Sequence, residues 1–129
     1  MGNMQDYLMN SLFINDACLE LIERANDYKR AIDQPAEIRK IYEKISNYDP
    51  LKIKYAFRDC PPKEFIDFLF ELCDVAINYA KEKKIDLPNE TIGSHKSAVG
   101  YREKKNPTLA ADKIIETMDR LRSQGIIRI

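Results

Sequence analysis

The chain has 129 residues, which is enough for one domain with a modest hydrophobic core. Its 21 basic and 21 acidic residues cancel to a net charge of zero, and this balance argues against a general polyanion-binding protein. No apolar run approaches the roughly 20 residues of a membrane-spanning helix, so we expect no membrane partner.

Apolar residues recur at helical spacing from the start of the chain. Residues 4–14 and 15–33 each show this spacing, but their apolar stripes point about half a turn apart. We therefore predict two helices with a break near Asn15 or Asp16, since either residue can cap the second helix. The Gln-Pro dipeptide at 34–35 then opens a third helix, because proline is favoured in a first helical turn.

Residues 51–58, Leu-Lys-Ile-Lys-Tyr-Ala-Phe-Arg, fit two structures. Apolar and polar residues alternate as in a strand, yet the preceding Asp49-Pro50 pair is a good helix opening. We favour a short helix because the neighbouring segments are helical, and keep a short strand as the alternative. As a strand, the segment would align Tyr55 and Phe57 with three basic residues in a cluster that suits nucleic acid.

The segment 61–84 is predicted to be the central helix. Its apolar residues cover well over half of the helical circumference, whereas a surface helix needs an apolar face only ~100° wide. The excess suggests contact with a partner, and we expect the interface to include apolar side chains of this helix and of the N-terminal segment: Leu8, Leu12, Phe13, Phe65 and Phe68. The polar sector forms a stripe that we expect to be solvated or salt-bridged: Glu64, Asp67, Glu71 and Asp74.

Residues 88–106 show no sustained period, so we predict a basic loop there. Asn106-Pro107 opens the last helix and Gly125 ends it, leaving 126–129 as an extended tail or short strand. The predicted fold is all-α, a single helical domain over residues 1–129 with about five helices packed around the segment 61–84.

The predicted loop contains the only histidine of the chain and several basic residues. Hydroxyls, imidazole and ammonium groups suit a phosphate or carboxylate ligand, although the glycine spacing is not that of a P-loop. A plain solvated connector and a catalytic loop are the other interpretations. The candidate ligand-binding or nucleic-acid-binding residues are His95, Lys96, Tyr101, Arg102, Lys104 and Lys105.

Cysteine and histidine usage excludes several chemistries. Cys18, Cys60 and Cys73 are odd in number and have no close pairing, which favours a reducing cytoplasmic location. They lack the spacing of structural zinc ligands, and a single histidine cannot build a multi-histidine metal site. We therefore expect no metal, no cofactor and no enzymatic activity.

The function that these observations favour is binding of another macromolecule, either a protein partner or a second copy of the chain. The alternative is an accessory protein that binds nucleic acid or a nucleotide phosphate through the basic loop, residues 93–105.

Overall fold

The computed structural model describes residues 13–129. Leu8, Leu12 and nearly all of the predicted helix 4–14 lie outside this range. The described residues form six α-helices and one 3₁₀ turn at Phe57–Asp59. The helices are α1 (Ile14–Tyr28), α2 (Ala36–Ser46), α3 (Pro50–Lys54), α4 (Lys63–Glu82), α5 (Asn89–Glu103) and α6 (Pro107–Ser123).

The predicted all-α class is confirmed, and the part of the chain from residue 13 onwards contains no strand. The strand alternatives at 51–58 and 126–129 are therefore wrong. Asp49 caps α3 by accepting the N–H of Leu51 (3.0 Å), and Pro50 occupies the first turn, where its missing N–H costs nothing. This local capping outweighs the strand-like alternation of the segment.

Helix α4 begins and ends within two residues of the predicted segment 61–84. It packs against α2 and α6, and nine of its side chains are buried: Phe65, Ile66, Leu69, Phe70, Leu72, Cys73, Ala76, Ile77 and Ala80. These side chains join those of the other helices in one continuous apolar cluster. The wide apolar face is therefore largely covered within the chain itself.

The predicted loop at 88–106 is wrong, because residues Asn89–Glu103 form helix α5. The buried side of α5 consists of Thr91, Ser94 and Ala98, so it has no apolar stripe for a periodicity analysis to find. These small side chains allow α5 to pack closely against α6, its most extensive neighbour. The Ser94 hydroxyl lies 2.9 Å from that of Thr117 and donates to the Thr91 carbonyl (3.0 Å).

The C-terminal segment returns to the core after α6. Gly125 ends the helix with a left-handed backbone (φ +76°), as the sequence predicts. Ile126, Ile127 and Ile129 are buried, and the N–H of Arg128 donates to the Tyr42 hydroxyl on α2 (3.0 Å). The extended tail is thus part of the core.

Candidate binding surfaces

Helices α4 and α5 are linked by two contacts between polar side chains. Nε2 of His95 lies 2.8 Å from Oδ1 of Asp74, and the Arg102 guanidinium donates to Oδ1 of Asp67 (3.0 Å). The pairs are seven residues apart on each helix and in opposite chain directions, so the helices run antiparallel. With the pair between Lys44 and Glu71 (3.2 Å), these contacts give three of the four carboxylates in the stripe a basic partner.

The structure places four of the six candidate ligand-binding residues in two separate depressions. His95 and Lys96 line one of about 370 Å³, whereas Arg102 and Lys105 line another of about 430 Å³. Arg102 follows His95 by seven positions in the helix, which corresponds to about 10 Å along the axis. Lys104 is exposed and lines neither depression, and Tyr101 packs partly buried against the core. The six residues therefore form no single site.

The larger depression lies where α4 begins, α5 ends and α6 begins. Lys63 contacts Asp67 (2.8 Å), so this carboxylate pairs with both Lys63 and Arg102. The Arg102 guanidinium also stacks over the Phe70 ring, 4.5 Å from its centroid. Contacts with a carboxylate and an aromatic face restrict the orientations of the Arg102 guanidinium.

The two buried cysteines do not form a reactive site. Cys18 and Cys73 are completely buried, and this burial raises the pKa of both thiols well above the ordinary value. A thiol that stays protonated is a poor nucleophile and a poor metal ligand. Over residues 13–129, no cluster of three or more histidine, cysteine or acidic side chains is placed to hold a metal ion.

A second surface consists of four large apolar side chains exposed to solvent. Phe13 is 48% exposed, Leu51 56%, Tyr55 75% and Phe57 79%. Leu51 lies on α3, Tyr55 is the residue that follows this helix, and Phe57 begins the 3₁₀ turn. Phe13 precedes α1, whose first N–H groups bond to that same turn. We call these four residues the aromatic edge.

Asp59 connects the two parts of the aromatic edge. Its carboxylate accepts the N–H of Ile14 (2.7 Å) and of Asn15 (2.8 Å). Asp59 therefore caps α1 from 44 and 45 residues away, and neither Asn15 nor Asp16 has the predicted capping role. These bonds also hold the 3₁₀ turn against α1.

The turn keeps an unfavourable backbone conformation. Arg58 and Asp59 both have positive φ (57° and 52°), which residues other than glycine seldom adopt. The bonds from Asp59 to α1 offset this cost. The resulting turn leaves Phe57 exposed to solvent, although burial of its apolar surface would lower the free energy of the folded chain.

Three basic residues lie close to the aromatic edge in the chain. Lys54 lies over the Tyr55 ring (5.7 Å) and Arg58 over the Phe57 ring (5.1 Å). Lys52 follows Leu51 in α3 and lies over the ring of buried Tyr48 (5.8 Å). The edge therefore combines apolar contact area with neighbouring positive charge.

The predicted interface residues are only partly at the surface. Phe65 is completely buried in the core, and Phe68 is half-buried with an edge-on contact to Tyr48 (6.1 Å). Phe13 is the one described member that is exposed. Leu51 is exposed at the surface but was not among the predicted interface residues. The available signal was the shortness of the segment between Asp49-Pro50 and Pro61, which leaves room to bury only one face.

No helix in the described part of the chain is both long and apolar enough to cross a membrane. Comparison with protein-family models, with curated proteins and with solved structures finds no match to this chain.

Proposed function

We propose that the protein acts without catalysis, by binding a partner protein through the aromatic edge. The observation that supports this most is the exposure of four large apolar side chains in neighbouring elements, each about half exposed or more. Contiguous exposed apolar groups are avoided on proteins without partners, and aromatic and arginine side chains dominate binding energy at interfaces.

The charge around the edge favours an acidic partner over self-association. Lys52, Lys54 and Arg58 lie close to the apolar side chains, so a two-fold symmetric dimer through this surface would bring like charges together. The edge is also a poor match for the carboxylate stripe of a second copy. Asp67, Asp74 and Glu71 in that stripe are already paired within their own chain. The expected partner presents an apolar pocket surrounded by aspartate and glutamate.

Nucleic acid fits the edge less well than protein does. Tyr55 and Phe57 could stack on bases, but Leu51 has no aromatic face to offer.

Selection of displayed peptides tests the proposal. A random 16-residue library selected on the immobilised protein should yield peptides with an apolar anchor flanked by acidic residues. We expect the double variant Tyr55→Ala/Phe57→Ala to bind these peptides at least about tenfold more weakly, because it lacks two central aromatic anchors. Ile32→Ala is the matched control, since Ile32 is 96% exposed but lies outside the edge.

Equal binding by wild type and the double variant would contradict the proposal, as would a selection without acidic peptides. A labelled single-stranded RNA and a labelled duplex DNA, titrated at low salt, form the second arm. Tight nucleic-acid binding that is lost in Lys54→Glu/Arg58→Glu would favour the nucleic-acid function instead.

A further inference from the structure

The depression of about 430 Å³ between α4, α5 and α6 has the size of a small-molecule site. Ile66, Pro107 and Ala110 provide apolar lining, while Lys63, Arg102 and Lys105 place cations around it. We call it the cationic groove. It contains none of the residues of the aromatic edge, so an inference about it is independent of the proposed partner.

The groove has an excess of positive charge. Asp67 is its one lining carboxylate, and Lys63 and Arg102 share it. Lys105 forms no ion pair with any residue between 13 and 129, so two positive charges remain without a counterion. The start of α4, the end of α5 and the start of α6 meet here. The dipoles of α5 and α6 largely offset, and the start of α4 adds partial positive charge to that of the side-chain cations.

The Arg102 cation is positioned before any ligand arrives, and the backbone of Lys105 is fixed beside it. Arg102 is held by Asp67 (3.0 Å) and by the Phe70 ring (4.5 Å). The contact with Asp67 uses one of the five guanidinium N–H groups, and the others can serve a ligand. Lys105 has a left-handed backbone (φ 57°), and its N–H donates to the Arg102 carbonyl (3.1 Å). This bond fixes the backbone positions of the two cations relative to each other.

We propose that the cationic groove binds a small amphiphilic oxyanion, a carboxylate or a phosphate monoester with an apolar body. The anionic head contacts Arg102 and Lys105, and the apolar body lies on Ile66, Pro107 and Ala110. Charge-assisted bonds to the head supply orientation, and removal of apolar surface from water supplies the remaining affinity.

Calorimetric titration with octanoate, octyl phosphate, octanol and inorganic phosphate tests the proposal. We expect at least one octyl anion to bind about tenfold more tightly than octanol or phosphate, because only the anion uses both parts of the groove. A comparison of octanoate with octyl phosphate identifies the preferred head group.

Variants then locate the binding. Lys105→Gln should weaken the octyl anion about tenfold, because it removes one charge-assisted contact. The matched control Lys104→Gln removes the neighbouring exposed cation, which does not line the groove, and should have no effect. Arg102→Gln should act like Lys105→Gln, and a thermal melt verifies that its lost contact with Asp67 leaves the protein folded. Equal affinity for octanol, equal losses in Lys104→Gln and Lys105→Gln, or no binding of either anion would overturn the proposal.

Discussion

The Tyr42 hydroxyl shows how a single polar group connects distant parts of the chain. Tyr42 is completely buried, donates to the Gln34 side-chain carbonyl (2.5 Å) and accepts the N–H of Arg128 (3.0 Å). Arg128 in turn pairs with Asp33 and stacks over the Tyr28 ring. Burial raises the pKa of Tyr42 to about 12, and the bond from the Arg128 N–H opposes this shift only in part.

The raised pKa of Tyr42 predicts a loss of stability at alkaline pH. Since the ordinary tyrosine pKa is about 10, the unfolded chain ionises first and releases a proton that the folded chain retains. The contribution of Tyr42 to the free energy of unfolding is therefore complete below pH ~10. It declines as pH rises towards 12, by up to roughly 2–3 kcal/mol.

Urea denaturation of wild type and Tyr42→Phe between pH 7 and 11.5 measures this contribution. The variant should be less stable at pH 7, by about 1–3 kcal/mol, because Gln34 and the Arg128 N–H lose a buried partner. The difference should shrink above pH ~10. The exposed Tyr55→Phe should follow wild type throughout, and a pH-independent difference for Tyr42→Phe would contradict the interpretation.

At the scale of an element, α5 is a helix with almost no apolar surface. Tertiary packing stabilises it, since its buried hydroxyls have partners on α6 and Gln124 donates to the Thr91 hydroxyl (3.0 Å). Its own sequence opposes helix formation, because Gly93 and Gly100 lose more backbone entropy on folding than other residues.

The two glycines of α5 provide a test of its helical state. A Cβ at Gly93 or Gly100 would meet nothing within 4 Å, and both residues have negative φ. Gly93→Ala and Gly100→Ala should therefore each raise the free energy of unfolding by about 0.5–1 kcal/mol.

Gly125→Ala is a control for which we expect the opposite change in stability. Its φ of +76° strains any residue with a Cβ, so this change should destabilise the protein. Thermal or urea denaturation of the three variants gives the comparison. A neutral or destabilising effect at both 93 and 100 would favour the loop that the sequence alone predicts.

At the scale of the whole molecule, α4 connects the two halves of the core. It packs on α2 from the first half and on α6 from the second. Its side chains at 69 and 72 are completely buried within the continuous apolar cluster. Removal of either should therefore affect the folding of the whole protein.

Leu69→Ala and Leu72→Ala should each lower the free energy of unfolding by ~2–5 kcal/mol. The neighbours in a close-packed interior cannot fill the space of the removed side chain, so a cavity remains. Leu109→Ala is the control, since Leu109 is 39% exposed and leaves much less unfilled space. The midpoints of urea denaturation provide the comparison. A core variant with a midpoint no lower than that of Leu109→Ala would show that α4 is not central.

The sequence by itself determined the helical class, the position of α4 and both ends of α6, because these depend on local signals. Apolar periodicity, Asn106-Pro107 and Gly125 act within a few residues of where they stand.

Helix α5 was decided by tertiary structure, since small hydroxyl side chains become a packing face only opposite α6. The same holds for the candidate sites. Asp59 reaches α1 across more than forty residues, and the pairing of Arg102 with Asp67 forms only when α4 and α5 lie side by side. Contacts between distant segments leave no period in a sequence, so only the folded chain brings together the residues of the aromatic edge and of the cationic groove.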